Sequence, residues 1–408
     1  MRYAIADVEV TEPLPELRLA DDEHGLALLV RRHDRPIHFS FHEHAPGSRI
    51  PAAVLERLVA ESAGVALLEE AVRQQLAASV PEPAPVSLTV AVCTRARPEL
   101  LADCLHSLIA VRPDEGDPRR FEILVVDNDP PDGATADVVA SLPDVRYAVE
   151  PLPGLDFARN RALAEAGTDF VAYLDDDVIV DRGWLAGLEE AVAENPDAAA
   201  VTGLVLPYEL VSNAQLVFEL RGGFGRGFQK LRYAGETLPG NPLYPTGAGI
   251  FGAGCNMVLR RDVLVELDGF DEALDTGPPL PGGGDLDIFY RVVRSGHPLV
   301  YEPRMLVFHR HRRELEALRR QYWSWGEGFI AYVQKTYRTD PPQRPKLRRL
   351  VRWWLGDQLG TLRRSLRGKE PVPPSLVLVE LAGGLVGLTG AYRRSRRRVA
   401  AIRRSVSG

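Results

Sequence analysis

Cysteine is scarce in this chain, with three in 408 residues. Cys93, Cys104 and Cys255 show no metal-ligand spacing, which excludes a disulfide framework and argues against a zinc site. No internal repeat or low-complexity tract is present, so a solenoid is excluded. The opening MRYAIADVEV lacks a basic start followed by an apolar run. The expectation is therefore no signal peptide and residence in the cytoplasm. Aromatics spaced for base stacking are missing from the most basic part of the chain, and nucleic acid is not expected as a partner.

The chain does have an ordinary globular composition, 45% apolar and 26% charged, of a length for two or three structural units. Its net charge of −7 hides a division. From Arg338 onward there are 17 Lys+Arg against 4 Asp+Glu, leaving 32 against 52 in the body before it. Residues 1–80 read as a small α+β unit, because Ile37, Phe39 and Phe41 alternate with His38, Ser40 and His42 and Pro51 opens a helical stretch. Alternate prolines at 81–86 form a linker.

Residues 87–337 then change rhythm. Short apolar runs, Ser87–Cys93, Phe121–Val126 and Phe170–Leu174, alternate with amphipathic stretches at Pro98–Leu108 and Phe157–Ala166. That rhythm predicts an α/β fold, a mostly parallel mixed sheet with helices on both faces. Ligands of such sheets bind beyond the carboxyl ends of strands, where Thr94, Asp127 and Asp175–Asp177 fall. Three adjacent carboxylates repel one another unless a cation or solvent compensates, so the triplet suits either a divalent metal with a diphosphate or a solvated turn. Asp285 and Asp287 follow three glycines at the start of an apolar helical run. Either is placed to take a proton from a substrate hydroxyl or to cap the helix. His309 and His311 offer imidazoles to a metal shell, or form a solvated pair in a basic segment.

Taken in order, LTVAVCTRARPELLADCLHSL, ILVVDND, GLDFARNRALAEAGTDFVAYLDDDVIVDRGWL, GAGCNMVLRRDVLVELDGFDEAL with GGGDLDIFYRVVRSGH, and YEPRMLVFHRHRR resemble the inverting family 2 glycosyltransferases of the glycosyltransferase-A fold. The resemblance runs from about Ser87 to Arg320. It implies that Thr94, Arg95 and Asp127 hold the nucleoside, that Arg159 and Asn160 line the nucleotide-sugar side, and that Asp175 and Asp177 form the DxD pair. In this pairing Asp175 faces ribose or sugar, and Asp177 faces Mn2+ or Mg2+ with His309. Asp285 takes the place of the catalytic base, although many members carry Glu where Gly284 stands. Asn256, Asp287 and His311 are secondary candidates for sugar or acceptor contact, and Asn256 fits a plain turn equally well. A UDP-sugar is the expected donor, and a glycan, lipid or small molecule the acceptor.

Residues 338–408 read as a basic helical region containing a Pro/Arg-rich connection and a helix from Ser375. In that helix Glu380, Gly383, Gly384 and Gly387 share one face, suited to packing on the catalytic domain. The competing reading docks 375–398 on the inner membrane surface through its arginines. Two other functions fit the same pattern: a nucleotidyltransferase-like enzyme, for which CTRARPE is a poor phosphate loop, and a non-catalytic sugar-binding relative. Sugar, acceptor, pathway and oligomeric state are not specified at this level.

Overall fold

The computed structural model describes residues 1–76, 85–277 and 280–406, so most of the linker expected at 81–86 lies outside the described residues. Strands Leu88–Thr94, Glu122–Asn128 and Phe170–Asp175 are buried along almost their whole length. A parallel strand covered on both faces has no solvent side, which is why each is a continuous apolar run. These three pair in parallel, with Val145–Glu150 at one edge. Beyond Phe170–Asp175 the sheet becomes mixed: Asn256–Arg260 is antiparallel to both its neighbours, and Ala200–Pro207 then runs parallel to Leu299–His309. Val178–Val180 and Leu231–Tyr233 complete nine strands by pairing antiparallel to Leu299–His309.

Side chains alternate across this sheet into two cores. Ala91, Leu124, Val126 and Tyr173 meet helices Leu155–Glu165 and Gly284–Arg294 on one face. Val90, Val92, Ile123 and Leu174 meet helices Pro98–Val111 and Trp184–Glu194 on the other. The expected α/β architecture with helices on both faces is present.

The N-terminal residues form a three-stranded sheet, Ala4–Glu9, Gly25–Arg32 and Arg35–Glu43, against helix Ala52–Leu76. This unit is fastened to the larger sheet rather than standing apart. Arg31, fully buried, donates from Nη1 and Nη2 to both oxygens of Asp181 at 3.1 and 2.7 Å, and from Nε to Asp7. Removing one partner of a buried pair strands the other charge. Arg31→Met is expected to cost about 3–5 kcal/mol in thermal or urea unfolding. Unchanged stability would show that this pair does not hold the unit in place.

At the other end, Leu315–Thr339 is a helix, and the stretch read as a Pro/Arg-rich connection is helical over Arg344–Leu366. Its prolines precede or open that helix, where a missing N–H is harmless. Helix Pro374–Leu388 lies on Leu315–Thr339 through small residues. A Cβ at Gly384 would come 2.5 Å from the Trp354 ring, and one at Gly326 would overlap the Glu380 carbonyl. Glu380 itself is buried, accepting from Gln358 at 2.7 Å and paired with Arg221 at 2.8 Å. Helix Ala391–Val406 follows.

Candidate active site

Two cavities open at the carboxyl ends of the parallel strands. The first, ≈ 630 Å³, is walled by Thr94, Arg95 and Arg97 after one strand, by Asn128 and Asp129 after the next, and by Asp175–Asp177. The second, ≈ 1290 Å³, is walled by Arg159, Asp285 and His309 and by an apolar side of Phe224, Trp325, Phe329 and Trp353. Asp175, Asp275 and Arg312 border both, so the cavities meet there.

The three carboxylates of the triplet do different things. Asp176 accepts from the Thr94 hydroxyl at 2.7 Å and from Arg97 Nη1 at 3.0 Å, which ties the turn to the neighbouring strand end. Asp177 Oδ1 is buried without a hydrogen-bond donor and stands 3.2 Å from His309 Nε2. Its other oxygen lies 3.6 Å from Arg312 and 3.7 Å from Arg97. Burial pushes the Asp177 carboxyl up, but His309, Arg312 and Arg97 together outweigh it and hold the group below the usual carboxylate range. Asp175 is pushed up to about 6 by burial and by the Asp177 charge, against Arg159 and His309.

His309 ends the long strand Leu299–His309 and is buried, as is His311. Neither belongs to a solvated basic segment. Asp175, Cys255 and His309 bring ligand atoms within 4.8 Å of one another, beside the undonated Asp177 Oδ1. Carboxylates with an imidazole suit Mn2+ or Mg2+, whereas burial holds the Cys255 thiol well above its ordinary value, as a poor ligand. The residues therefore fit a divalent ion. His311 lies behind His309: the two Nδ1 atoms are 3.1 Å apart, and His311 Nε2 is 2.6 Å from Glu219. Its place is to orient His309, not to face a sugar.

Asp285 lies in the first turn of helix Gly284–Arg294, with Oδ1 accepting the Leu286 N–H at 2.8 Å, and opens into the second cavity. Asp287 does not. It is buried with Lys335 at 2.6 Å and Arg291 at 2.7 Å, which pin the helix to Leu315–Thr339 and to the 267–269 turn. Gly284, where the resemblance leads one to look for glutamate, is closed to any side chain: a Cβ there would meet the carboxylates of Asp156 and Asp275. Asp275 Oδ2 accepts the Gly284 N–H at 3.0 Å and lies 3.8 Å from Arg159. Burial, then the Asp285 charge, against Arg159, push Asp275 up to about 6.

Of the other expected site residues, Thr94, Arg95 and Arg159 border the cavities. Asp127 turns to the opposite side, accepts from Tyr147 at 2.8 Å, and lines neither cavity; Asn128 and Asp129 hold the corresponding wall. Asn160 grips the Phe270 backbone, its amide nitrogen donating to the Phe270 carbonyl and its oxygen accepting the Phe270 N–H. Asn256 is fully buried, accepting from Trp184 and donating to the Leu204 and Met305 carbonyls. Asp275, Arg312 and Glu219 escaped the sequence reading. For the first two the signal was proximity in sequence to Asp285 and His309; for Glu219 there was none.

Residues 89–267 match the family model described as Glycosyl transferase family 2. That span includes the triplet and stops short of Asp285 and His309. The succinoglycan biosynthesis protein ExoM of Rhizobium meliloti is 32% identical over 224 residues, 54% of this chain and 65% of that protein. A pre-mycofactocin glycosyltransferase of Mycobacterium tuberculosis is 31% identical over 159 residues, 39% of this chain and 30% of that protein. This chain thus spans less than two thirds of either relative. Among solved structures, a mannosyltransferase of Pyrobaculum calidifontis in complex with GDP-Man and Mn2+ is 19% identical, with a TM-score of 0.46, covering 86% of this chain and 96% of that one.

Proposed function

We propose that this chain, a member of glycosyl transferase family 2 through residues 89–267, moves a sugar from a nucleoside-diphosphate sugar to an acceptor hydroxyl with inversion at the anomeric carbon. The observation that carries the reading is the meeting of the two cavities at Asp175 and Asp275. One is walled by arginines and Thr94, suited to a nucleotide and its phosphates; the other holds Asp285 and aromatic faces, suited to an acceptor. A UDP-hexose is the expected donor. Asp177 and His309, with Asp175, would hold Mn2+ or Mg2+, which when bound supplies positive charge opposite the departing diphosphate. Thr94 and Arg97 keep the triplet in place by fixing Asp176, and Arg159 holds Asp275 from behind. Asp285 takes the proton of the acceptor hydroxyl as that oxygen attacks the anomeric carbon and the nucleoside diphosphate leaves from the opposite side. No covalent enzyme intermediate forms. The test is nucleotide release from a panel of nucleotide sugars, with and without Mn2+, and the anomeric configuration of the product. Release from none of them removes the reading, and retained configuration removes the single displacement.

The C-terminal helices support peripheral attachment to the inner membrane surface and an acceptor with an apolar portion. No single described helix is long and apolar enough to cross a membrane, and Pro374–Leu388 is bent by 66° from the helix that follows. Leu378, Leu385 and Leu388 nevertheless lie exposed on one side of it, and Trp353, 57% exposed, stands at the rim of the second cavity. Exposed apolar groups of this kind beside arginines fit a lipid interface. Leu385→Glu with Leu388→Glu is expected to abolish flotation with anionic vesicles while leaving the fold intact, since both side chains point outward. Equal flotation of parent and variant removes the membrane reading.

A further inference from the structure

The basic run Arg393–Arg398 does not behave as one surface. Arg393, Arg394, Arg396 and Arg397 are exposed, whereas Arg398 is partly buried and lines the first cavity beside Arg97, Arg312, Thr276 and Gly277. Residues packed on either side of it explain the placement. Tyr392 donates to Asp271 at 2.7 Å, the Ser395 and Thr276 hydroxyls are 3.0 Å apart and fully enclosed, and Val399 packs with Ala273, Leu274 and Leu280. These recur at helical spacing and lay helix Ala391–Val406 along residues 271–277 and Leu280, and Asp275, Thr276 and Gly277 of that stretch border the cavity.

Among the described residues, the arginines that line that cavity are already paired except for one. Arg95 is paired with Asp129, Arg97 with Asp176 and Asp177, and Arg312 with Asp177. Arg398 has no ion-pair partner among the described residues. An arginine held at a cavity wall by a buried helix face, with no carboxylate of its own, is poised for an anion entering the cavity.

We propose that Arg398, carried in from the C-terminal helix, binds a phosphate group of the nucleoside diphosphate and so makes that helix part of the donor site. The inference rests on the reading of the first cavity as the donor cavity. The guanidinium presents paired N–H donors to phosphate oxygens, a charge-assisted contact whose loss weakens binding by about 10- to 100-fold. The nucleoside, having no phosphate, does not use it.

Calorimetric titration of the full chain with UDP, GDP, dTDP, CDP and ADP, and with the matching nucleosides, each in the presence of Mn2+, tests this. For a diphosphate that binds the parent protein, Arg398→Gln is expected to weaken affinity about 10- to 100-fold, with nucleoside affinity and melting temperature unchanged. Arg398→Lys should recover part of the loss, and Arg397→Gln, on the exposed side, should bind as the parent does. If a diphosphate binds the parent and Arg398→Gln equally, this inference fails while the donor cavity stands. If diphosphate and nucleoside weaken together, Arg398 acts through the fold and the phosphate contact is overturned. If the parent binds no nucleoside diphosphate, the donor reading fails and takes this inference with it.

Discussion

Asp285→Asn is expected to bind the donor nucleotide like the parent protein and to transfer sugar about 100- to 10,000-fold more slowly. The amide keeps the size of the carboxylate and its hydrogen bond from the Leu286 N–H, so helix Gly284–Arg294 should start as before. What the amide lacks is a basic oxygen for the acceptor's proton. The local arrangement separates this role from a structural one: Asp285 has no ion-pair partner among the described residues and opens into the second cavity, while Asp287, two residues on, is consumed by Lys335 and Arg291. Asp287→Asn should therefore lower stability far more than it alters the proton transfer. Single-turnover rates with saturating donor, set beside nucleotide affinity and the urea unfolding midpoint, check both statements. Near-parental transfer by Asp285→Asn would remove it from the role of base.

Asp177→Ala should abolish the difference between nucleotide binding in Mn2+ and in chelator, a loss on the order of 100-fold in the metal-dependent affinity. Its buried Oδ1 has no hydrogen-bond donor and faces His309 Nε2, so a cation placed there would be satisfied from both sides. Removing the carboxylate also takes away the charge that raises the His309 imidazole against its burial. The sign follows: His309 should lose its proton at lower pH in the variant, which histidine NMR titration without metal reads directly. Asp176→Asn serves as contrast, because Thr94 and Arg97 already bind Asp176. If Asp177→Ala retained full Mn2+ dependence, the triplet would not be the metal site.

Much of this arrangement was legible in the residues. Apolar runs such as LTVAV and FVAYL, bounded by turn residues and rich in β-branched and aromatic side chains, read as strands buried on both faces, and the acidic triplet at the end of one marks the carboxyl edge of a parallel sheet. Less legible was direction. Neighbouring strand side chains point to opposite faces, and a string of letters does not say which of Asp127 and Asn128 looks into the cavity. Asn160, and Asn256 with its two open readings, are hard to assign for another reason: an amide that satisfies buried backbone groups looks, in sequence, like one waiting for a sugar. Residues 344–366 contain Pro345 and many arginines and read as a connection, although proline in a first helical turn is a start signal. Arg398 and Glu219 reach the site across long separations in the chain, and only packing reveals them.

The crowding around Gly284 shows how the place of one side chain can be taken from elsewhere. Asp156 and Asp275 already fill that spot with carboxylates from other parts of the chain. A larger residue at 284 would have to evict them, and with them the partners of Arg159. The position is therefore coupled to two distant ones. Gly284→Glu alone should be tolerated worse than the same change made together with smaller, uncharged residues at 156 and 275, so the three positions can be expected to change as a set or not at all.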